Sequence, residues 1–509
     1  EAYAQLADRR RAAEATLQTM MAPSAVSIVT DIIGIAVVAL APIPAMWRHA
    51  LFCGMWAVWL IPTGVFLISL LLCSLPPPKD VDRLVGRGQQ SSVHSRFSVL
   101  LRWIARLSFG SRARYTAVAI AILAVSATYT AFQIKIGNPV EGTNLLWDDS
   151  EFNTAVRQIN ANFPGVNTLE IVLEAKDQER EQWMASESQS IQIMQRLQRY
   201  LENEALPPRA TLSFADYLGE ANRLFNGGHP KWVPLDDRTR ATNAAAVGVM
   251  MGSSTKAFGH VVSFDMQNAT VSLWYKDNKQ ETIDAALASA RRAIDAVGED
   301  HENFTVRLGT GTIALQEAVN LVVDRYHWIV VAVLNLFVFT TCSLAYRSVV
   351  AGLILLVPVN LSHQVMIAAM HLLGVGLDVN SMIVAAIGVG VGIDYGIYLL
   401  SRICEEYQAA DGDWGRAISE ALSTTGKAIM FTATIMTVGI LPWYFLSEIR
   451  FVADMGLLLV VIMGINMLMA LVVLPLLVGL VKPAFAARKD LLVGEGVTEE
   501  VLKKHAPNA

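Results

Sequence analysis

Eight apolar stretches punctuate the chain, at roughly residues 24–43, 50–74, 115–133, 327–345, 349–371, 379–401, 428–446 and 453–481. A helix needs about 20 apolar residues to cross a bilayer's hydrocarbon core, so the pattern predicts eight spans, numbered here one to eight. Among the polar residues that lipid would disfavour are Asp31 in span one, His363 in span five and Asp394 in span six. Between spans three and four the pattern changes, and residues 134–325 are long and polar enough for one or two compact domains. Within them Leu169–Leu173, Thr270–Tyr275 and Phe304–Leu308 read as strands, and Ile191–Leu201 and Thr282–Val297 as helices. Strands alternating with helices predict an α+β domain or split βαβ units. Gly227-Gly228-His229-Pro230 marks a loop, and Gly309-Thr310-Gly311 precedes a helix that continues into span four through Leu315, Val319 and Val322.

Composition narrows the class. With 53% hydrophobic and 17% charged residues, the chain is too apolar for an ordinary soluble protein and too charged for spans alone. A net charge of -5 argues against a nucleic-acid partner. Cys53, Cys73, Cys342 and Cys404 lie in or beside apolar stretches without metal-ligand spacing, and nothing calls for a cofactor. Basic residues set the expected orientation. Lys79, Arg83, Arg87, Arg96, Arg102, Arg106, Arg112 and Arg114 precede span three, Arg402 and Arg416 follow span six, and Lys482, Arg488 and Lys489 follow span eight. Alternating spans put all three groups on one side, the cytoplasm, and residues 134–325 on the other, the periplasm in a Gram-negative cell. Residues 96–108 place Phe97, Leu100, Leu101, Ile104 and Leu107 at helical spacing, as expected of an amphipathic helix on the inner membrane surface.

The chain also repeats itself. A polar helix opening with Glu1-Ala2-Tyr3 leads into two spans that end at Leu75-Pro76-Pro77-Pro78, and one opening with Glu405-Glu406-Tyr407 leads into two that end at Leu480-Val481-Lys482-Pro483. Glu14-Ala15 echoes Glu420-Ala421, Gly34 matches Gly439, and Ser27 aligns with Thr432. Residues 1–78 thus read as the tail of a unit whose complete copy is 115–483. The plainer alternative is that any two helical hairpins look alike. On the repeat, the counterpart of the complete copy would add a span, a second external domain and three spans before Glu1, on the order of 330–400 residues.

The sharpest chemistry lies in span six, SMIVAAIGVGVGIDYGIYLLSR. Gly388, Gly392 and Gly396 form one smooth face that admits a neighbouring backbone, and Gly390 and Asp394 share another. Asp394 lies about 12 Å before Arg402, inside the hydrocarbon, where a carboxylate costs about 2.5–3.5 kcal/mol on insertion scales. Burial pushes such a group toward loading and releasing a proton near neutral pH. The alternative is a structural acid capped by hydroxyls. Candidate partners are Thr432, Thr434 and Thr437 in span seven and Ser27 and Asp31 in span one, although each hydroxyl could simply bond back to its own helix. Asn360 and His363 in span five are weaker candidates, and an interhelical hydrogen bond is expected for His363. The external segment holds His229, His260 and His301 but no catalytic constellation.

Gly390-Val391-Gly392-Ile393-Asp394-Tyr395 resembles the GxxxDY motif of resistance-nodulation-division (RND) permeases, in the MMPL and hopanoid-transporter-like "predicted exporter" branch. One span, an external domain and then five spans is similar to an RND half-transporter. The resemblance implies a bacterial inner-membrane, multi-pass, proton-driven secondary transporter and not an enzyme. It makes Asp394 and Tyr395 the proton relay and 134–325 a periplasmic porter domain of ferredoxin-like units. It divides the chain into 1–78 (last two spans of the first half), 79–114 (cytoplasmic linker), 115–133 (one span), 134–325 (porter domain), 326–483 (five spans) and 484–509 (cytoplasmic tail). Implied partners are protons, membrane lipids and a hydrophobic or lipid-like substrate, with a second copy or a periplasmic accessory protein as candidates. The multidrug branch, which sets a lysine opposite two aspartates, fits poorly because no Lys or Arg lies within these spans. Export is the leading direction. Uptake or trafficking of sterol-like or hydrocarbon molecules, a protein-secretion accessory motor and a sterol-sensing receptor remain alternatives.

Overall fold

The computed structural model describes residues 8–76, 92–137, 142–252 and 255–488. The repeat's opening at Glu1-Ala2-Tyr3 and the basic residues Lys79, Arg83, Arg87 and Lys489 lie outside them. The chain divides into two compact units, one formed by Glu1–Lys135 with Val322–Ala509 and the other by Ile136–Leu321.

Among the described residues of the first unit and the helix leading into it, eight helices are long and apolar enough to cross a membrane. They are Met21–Leu40, Pro44–Ser74, Arg112–Ala131, Thr312–Ala345, Val349–Leu372, Val379–Ala409, Trp414–Leu446 and Arg450–Val481, spans one to eight. Span six is the central one. Its residues Val384, Ile393, Ile397, Leu399, Leu400 and Ile403 are almost wholly buried, and it packs on spans one, five and eight. Span two is the opposite case, with Trp47, Phe52, Trp56 and Leu70 exposed, as suits a lipid-facing helix. Helix start signals are local. Pro44 opens span two, where its missing N–H costs nothing. At span six Asp378 Oδ1 accepts from the Ser381 N–H at 2.8 Å and Ser381 Oγ accepts from the Asp378 N–H at 2.8 Å, a reciprocal cap.

The two hairpins at either end of the repeat share a layout: the second span of each carries one π-helical segment, Ile61–Leu67 and Met469–Val473. Their surroundings differ. A Cβ on Gly34 would lie 3.3 Å from the Ala386 carbonyl oxygen, whereas Gly439 has nothing within 4 Å. The helix expected to lie on the membrane surface forms over Ser92–Leu107, but Leu101, Ile104 and Ala105 are buried. They dock against the ends of spans seven and eight, with Leu101 beside Gly426. Part of its apolar face therefore meets protein, while Val99, Leu100 and Trp103 stay exposed.

In the second unit, four antiparallel strands make one sheet in the order β2-β3-β1-β4, where β1 is Asn167–Ala175, β2 Ala210–Ser213, β3 Asn268–Tyr275 and β4 Phe304–Leu308. Ile171 pairs with Val271 on one side and Leu308 on the other. Strand alternation sends Leu169, Ile171 and Leu173 to the core. There they meet helix Ser188–Glu202 through Met194 and Leu197 and helix Gln280–Val297 through Ile283 and Ala290. Each fully buried aliphatic side chain contributes about 1.5–3 kcal/mol. Gly311 turns β4 into the next helix at φ +114, where a Cβ would lie 2.3 Å from the Thr168 carbonyl oxygen, so only glycine fits.

Candidate functional site

Glycine spacing on span six decides what lies beside Asp394. A Cβ on Gly388 would meet Ile462 at 2.5 Å, and one on Gly392 would meet Asn466 at 2.5 Å, both of span eight. A Cβ on Gly396 would meet Leu355 of span five at 2.9 Å. On the other face, a Cβ on Gly390 would lie 3.2 Å from Asp31 Oδ1. Asn466 Nδ2 donates to the Gly388 carbonyl at 2.7 Å and locks span eight to span six.

Gly390 and Asp394 are one turn apart, about 6 Å along the axis. Asp31 rests on the first and acts electrostatically on the second. Ser27, one turn before Asp31 and itself buried, turns its hydroxyl toward the Asp394 carboxylate. The Oδ1 atom of Asp394 is buried and makes no hydrogen bond. Tyr398, one turn after Asp394, donates from its hydroxyl to Ser24 Oγ at 3.4 Å and also faces Ser27, Asp31 and Asp394. Buried Cys342 of span four approaches Asp394 from another side. Just beyond it the Tyr346 hydroxyl donates to the Ile397 carbonyl at 2.9 Å, tying span four to span six.

The structure therefore brings Asp394, Asp31 and Ser27 together. It places Thr432 and Thr434 elsewhere: both are exposed on span seven, and Thr434 Oγ1 donates back to the Met430 carbonyl at 2.7 Å. Thr437 is half-buried on the same span. The reason is packing. Span seven lies mainly on span eight, while span one occupies the face of span six that carries Asp394. Tyr395 is buried, and its hydroxyl makes no hydrogen bond. Tyr398 was not singled out by sequence, although its i+4 spacing from Asp394 is a signal that could have found it.

Elsewhere in the bundle Asn335 and Asn360 exchange hydrogen bonds, at 3.0 and 2.8 Å. His363 departs from expectation, because neither of its ring nitrogens makes a hydrogen bond. In the second unit the three histidines have local contacts. His229 Nδ1 accepts from the Lys231 N–H at 3.2 Å, His260 Nε2 lies 3.5 Å from the Tyr217 hydroxyl, and His301 stacks on Phe304. Among the described residues no three His, Cys, Asp or Glu side chains gather as metal ligands.

A model of the MMPL family matches residues 144–494, more than half of the 509 residues, with Asp394 and its glycines inside the match. The chain belongs to the MMPL family. The MMPL part of the resemblance carried by the span-six motif is thereby met, and with eight described helices long and apolar enough to cross a membrane the MMPL chain is a multi-pass membrane protein. Its fold is similar to that of the hedgehog release protein Disp from the water bear Hypsibius dujardini, with TM-score 0.58 and 12% identity over 93% of this chain and 59% of that one. It is also similar to a heavy metal efflux pump, with TM-score 0.53 and 12% identity over 94% of this chain and 60% of that one. The MMPL chain thus spans less than two thirds of either neighbour's length. No curated protein sequence matches it.

Proposed function

We propose that this MMPL-family chain is part of a proton-driven transporter of lipid-like or other hydrophobic molecules in the bacterial inner membrane, and that Asp394 and Asp31 together hold the proton. The observation that carries the reading is the pair itself: two acids from different spans converge on Gly390, and one buried carboxylate oxygen of Asp394 has no partner. Two like charges in a low dielectric repel strongly, so the pair binds a proton between them. Ser27 offers its hydroxyl to the Asp394 carboxylate, and the Tyr398 hydroxyl and Cys342 thiol lie near enough to act on it electrostatically. Tyr395 acts through packing at this stage, since its hydroxyl makes no hydrogen bond.

The hydrophobic substrate class is supported by a groove of about 420 Å³ between spans three, five and eight. Ile120, Ala124, Leu356, Val473 and Leu477 line it, and Asn360 is its one polar residue. Such a lining suits an acyl chain. The second unit is read as a periplasmic porter domain. Its two β-α-β halves, β1 to β2 and β3 to β4, joined through further helices between β2 and β3, and its antiparallel β2-β3-β1-β4 sheet support a ferredoxin-like unit.

The test is proton flux through the full-length protein in proteoliposomes made with total membrane lipid and loaded with a pH-sensitive dye. Asp394→Asn keeps the shape but cannot ionise, so it should leave insertion and folding intact and abolish flux under an imposed gradient. Flux near that of the unmodified protein would sink the reading. Loss of protein, with flux per molecule retained, would mark Asp394 as structural.

A further inference from the structure

Span four and span five each bury one histidine, and the two rings meet. His327 and His363 are both 1% exposed. Their centroids are 5.4 Å apart and their planes 21° apart. All four ring nitrogens are buried and none makes a hydrogen bond. Trp328 stands edge-on to His327 at 5.2 Å and stacks on Phe132 of the turn after span three at 6.4 Å, which walls the pair with aromatic carbon.

A neutral imidazole carries one N–H donor and one lone pair. Each such group left buried without a partner costs about 1–3 kcal/mol, so two histidines are an expensive way to fill this space with neutral rings. Aliphatic side chains would fill it at lower cost. A metal ion needs more ligands than two imidazoles, and among the described residues no third His, Cys, Asp or Glu joins them in a ligand cluster. A proton is the ion that two imidazoles can hold by themselves. Asp324, on the same helix one turn before His327, is the charged group that acts on that ring, and His327 is the titratable group that acts on His363.

We propose that His327 and His363 form a second proton-binding site in this bundle, distinct from the Asp31–Asp394 pair, in which the two rings share one proton through one water. In the loading step a hydronium O–H bond breaks and an N–H bond forms on one ring; the rings lie face to face with no nitrogen of one in hydrogen-bond reach of the other, so a water beside them links that N–H to the second ring's lone pair. A neutral water leaves, and release is the reverse. The pair lies at a different depth from the carboxylates. His363 is about 14 Å before the end of span five at Leu372, and Asp394 is about 22 Å past the start of span six at Val379, so the histidines stand nearer the connection between these spans. Two stations at two depths give a proton a route that one buried acid does not. That this route feeds transport rests on the Asp394 reading, whereas proton binding by the pair does not.

The test is ¹⁵N solid-state NMR of the full-length, histidine-labelled protein in lipid nanodiscs, with the proton as the probe, from about pH 8 down to about pH 4, a range that brackets ordinary histidine titration. Difference spectra against His327→Gln and His363→Gln assign the two rings. The expected result is that both change over one pH range with one proton taken up per pair. Either single substitution should stop the remaining ring from titrating in that range, and Asp394→Asn should leave the pair's titration in place. Rings that titrate independently, or that stay neutral throughout, would overturn the proposal. A response to equimolar Zn²⁺ with no response to pH would overturn it in favour of a metal site. The double variant His327→Leu with His363→Leu guards against misfolding, because it removes all four unpartnered nitrogens. It should remain monodisperse and lose at least tenfold in proton flux in the proteoliposome assay, and flux equal to that of the unmodified protein would count against the site. If Asp394→Asn also conducts normally while the two rings still share a proton, the carboxylate reading fails and the histidine site stands.

Discussion

Replacing Gly392 with alanine tests whether glycine spacing on span six is what fixes the site. The new Cβ would lie 2.5 Å from Asn466 Nδ2, 2.6 Å from its Cγ and 2.7 Å from its Oδ1. Asn466 is 3% exposed, and the cavity beside it, lined by Gly392, Gly396 and Leu355, is only about 10 Å³, too small to take an amide. It must leave the Gly388 carbonyl, to which its Nδ2 donates at 2.7 Å. A buried amide stripped of its partner costs about 1–3 kcal/mol, and a forced off-rotamer side chain adds about 0.5–1.5, so the substitution should destabilise the protein by roughly 2–4 kcal/mol. Asn466→Ala removes the obstacle. The Gly388 carbonyl belongs to a helix and keeps its backbone donor, so that change alone should cost only about 1–2 kcal/mol. The double variant should then resemble Asn466→Ala, with a coupling of roughly 2–4 kcal/mol in its favour. Reversible unfolding of the full-length protein in mixed micelles, followed by tryptophan fluorescence, measures all three. A Gly392→Ala variant within about 0.5 kcal/mol of the unmodified protein, or costs that simply add, would refute the close packing of spans six and eight.

Tyr398→Phe removes a hydroxyl that contacts Ser24 and faces both acids, whereas the Tyr395 hydroxyl makes no hydrogen bond; proton flux in proteoliposomes should therefore fall several-fold for the first and little for the second. Gly311→Ala forces a side chain onto a positive φ and against the Thr168 carbonyl oxygen, which should destabilise the second unit by at least about 1–3 kcal/mol from strain, read by limited proteolysis of the intact protein. Burial pushes the Tyr275 phenol up to about 12. Because the folded value exceeds the unfolded one, its contribution is complete below about pH 10 and is lost as pH rises toward 12, on the order of 2–3 kcal/mol in all. Tyr275→Phe should flatten that alkaline limb of a stability-against-pH curve, and an unchanged limb would count against the burial.

How much of this was legible in the sequence depended on whether a signal was local. Membrane spans are local: an uncharged run as long as Leu51–Leu75 exceeds what the core of a soluble domain uses, and all eight stretches became helices. Strands β1, β3 and β4 were legible from alternating or β-branched runs. Strand β2, Ala-Thr-Leu-Ser, was not, because four residues with a single large apolar side chain carry no period and the strand owes its place to pairing with β3. Asp394 was legible because an acid amid glycines and aliphatics stands out. Its partners were not, since Ser27 and Thr432 occupy equivalent places in two similar hairpins, and only tertiary packing puts one beside Asp394 and exposes the other. His327 gave less signal still. It begins an apolar run, where a polar residue looks like the edge of a span, and its meaning appears only when a second helix brings His363 against it.

If the Asp31–Asp394 pair holds a proton as proposed, that same packing would link protonation to movement. Spans one and six touch where both lack side chains: a Cβ on Gly34 would lie 3.3 Å from the Ala386 carbonyl oxygen and 3.5 Å from Gly390 Cα. Asp31 and Asp394 sit beside that contact, so the distance between the carboxylates is set by how closely the helices approach. Two unit charges about 5 Å apart at an effective dielectric of about 20 repel by roughly 3 kcal/mol, and separation to about 8 Å lowers this to roughly 2. A proton on the pair removes the repulsion altogether and favours the close contact, whereas its loss favours a wider one. The free energy available from that difference is about 1 kcal/mol for a shift of a few ångström, enough to bias two arrangements of span one against span six by about fivefold. Larger side chains at Gly34 and Gly390 would hold the helices apart in both protonation states, and the carboxylates would then titrate without moving anything.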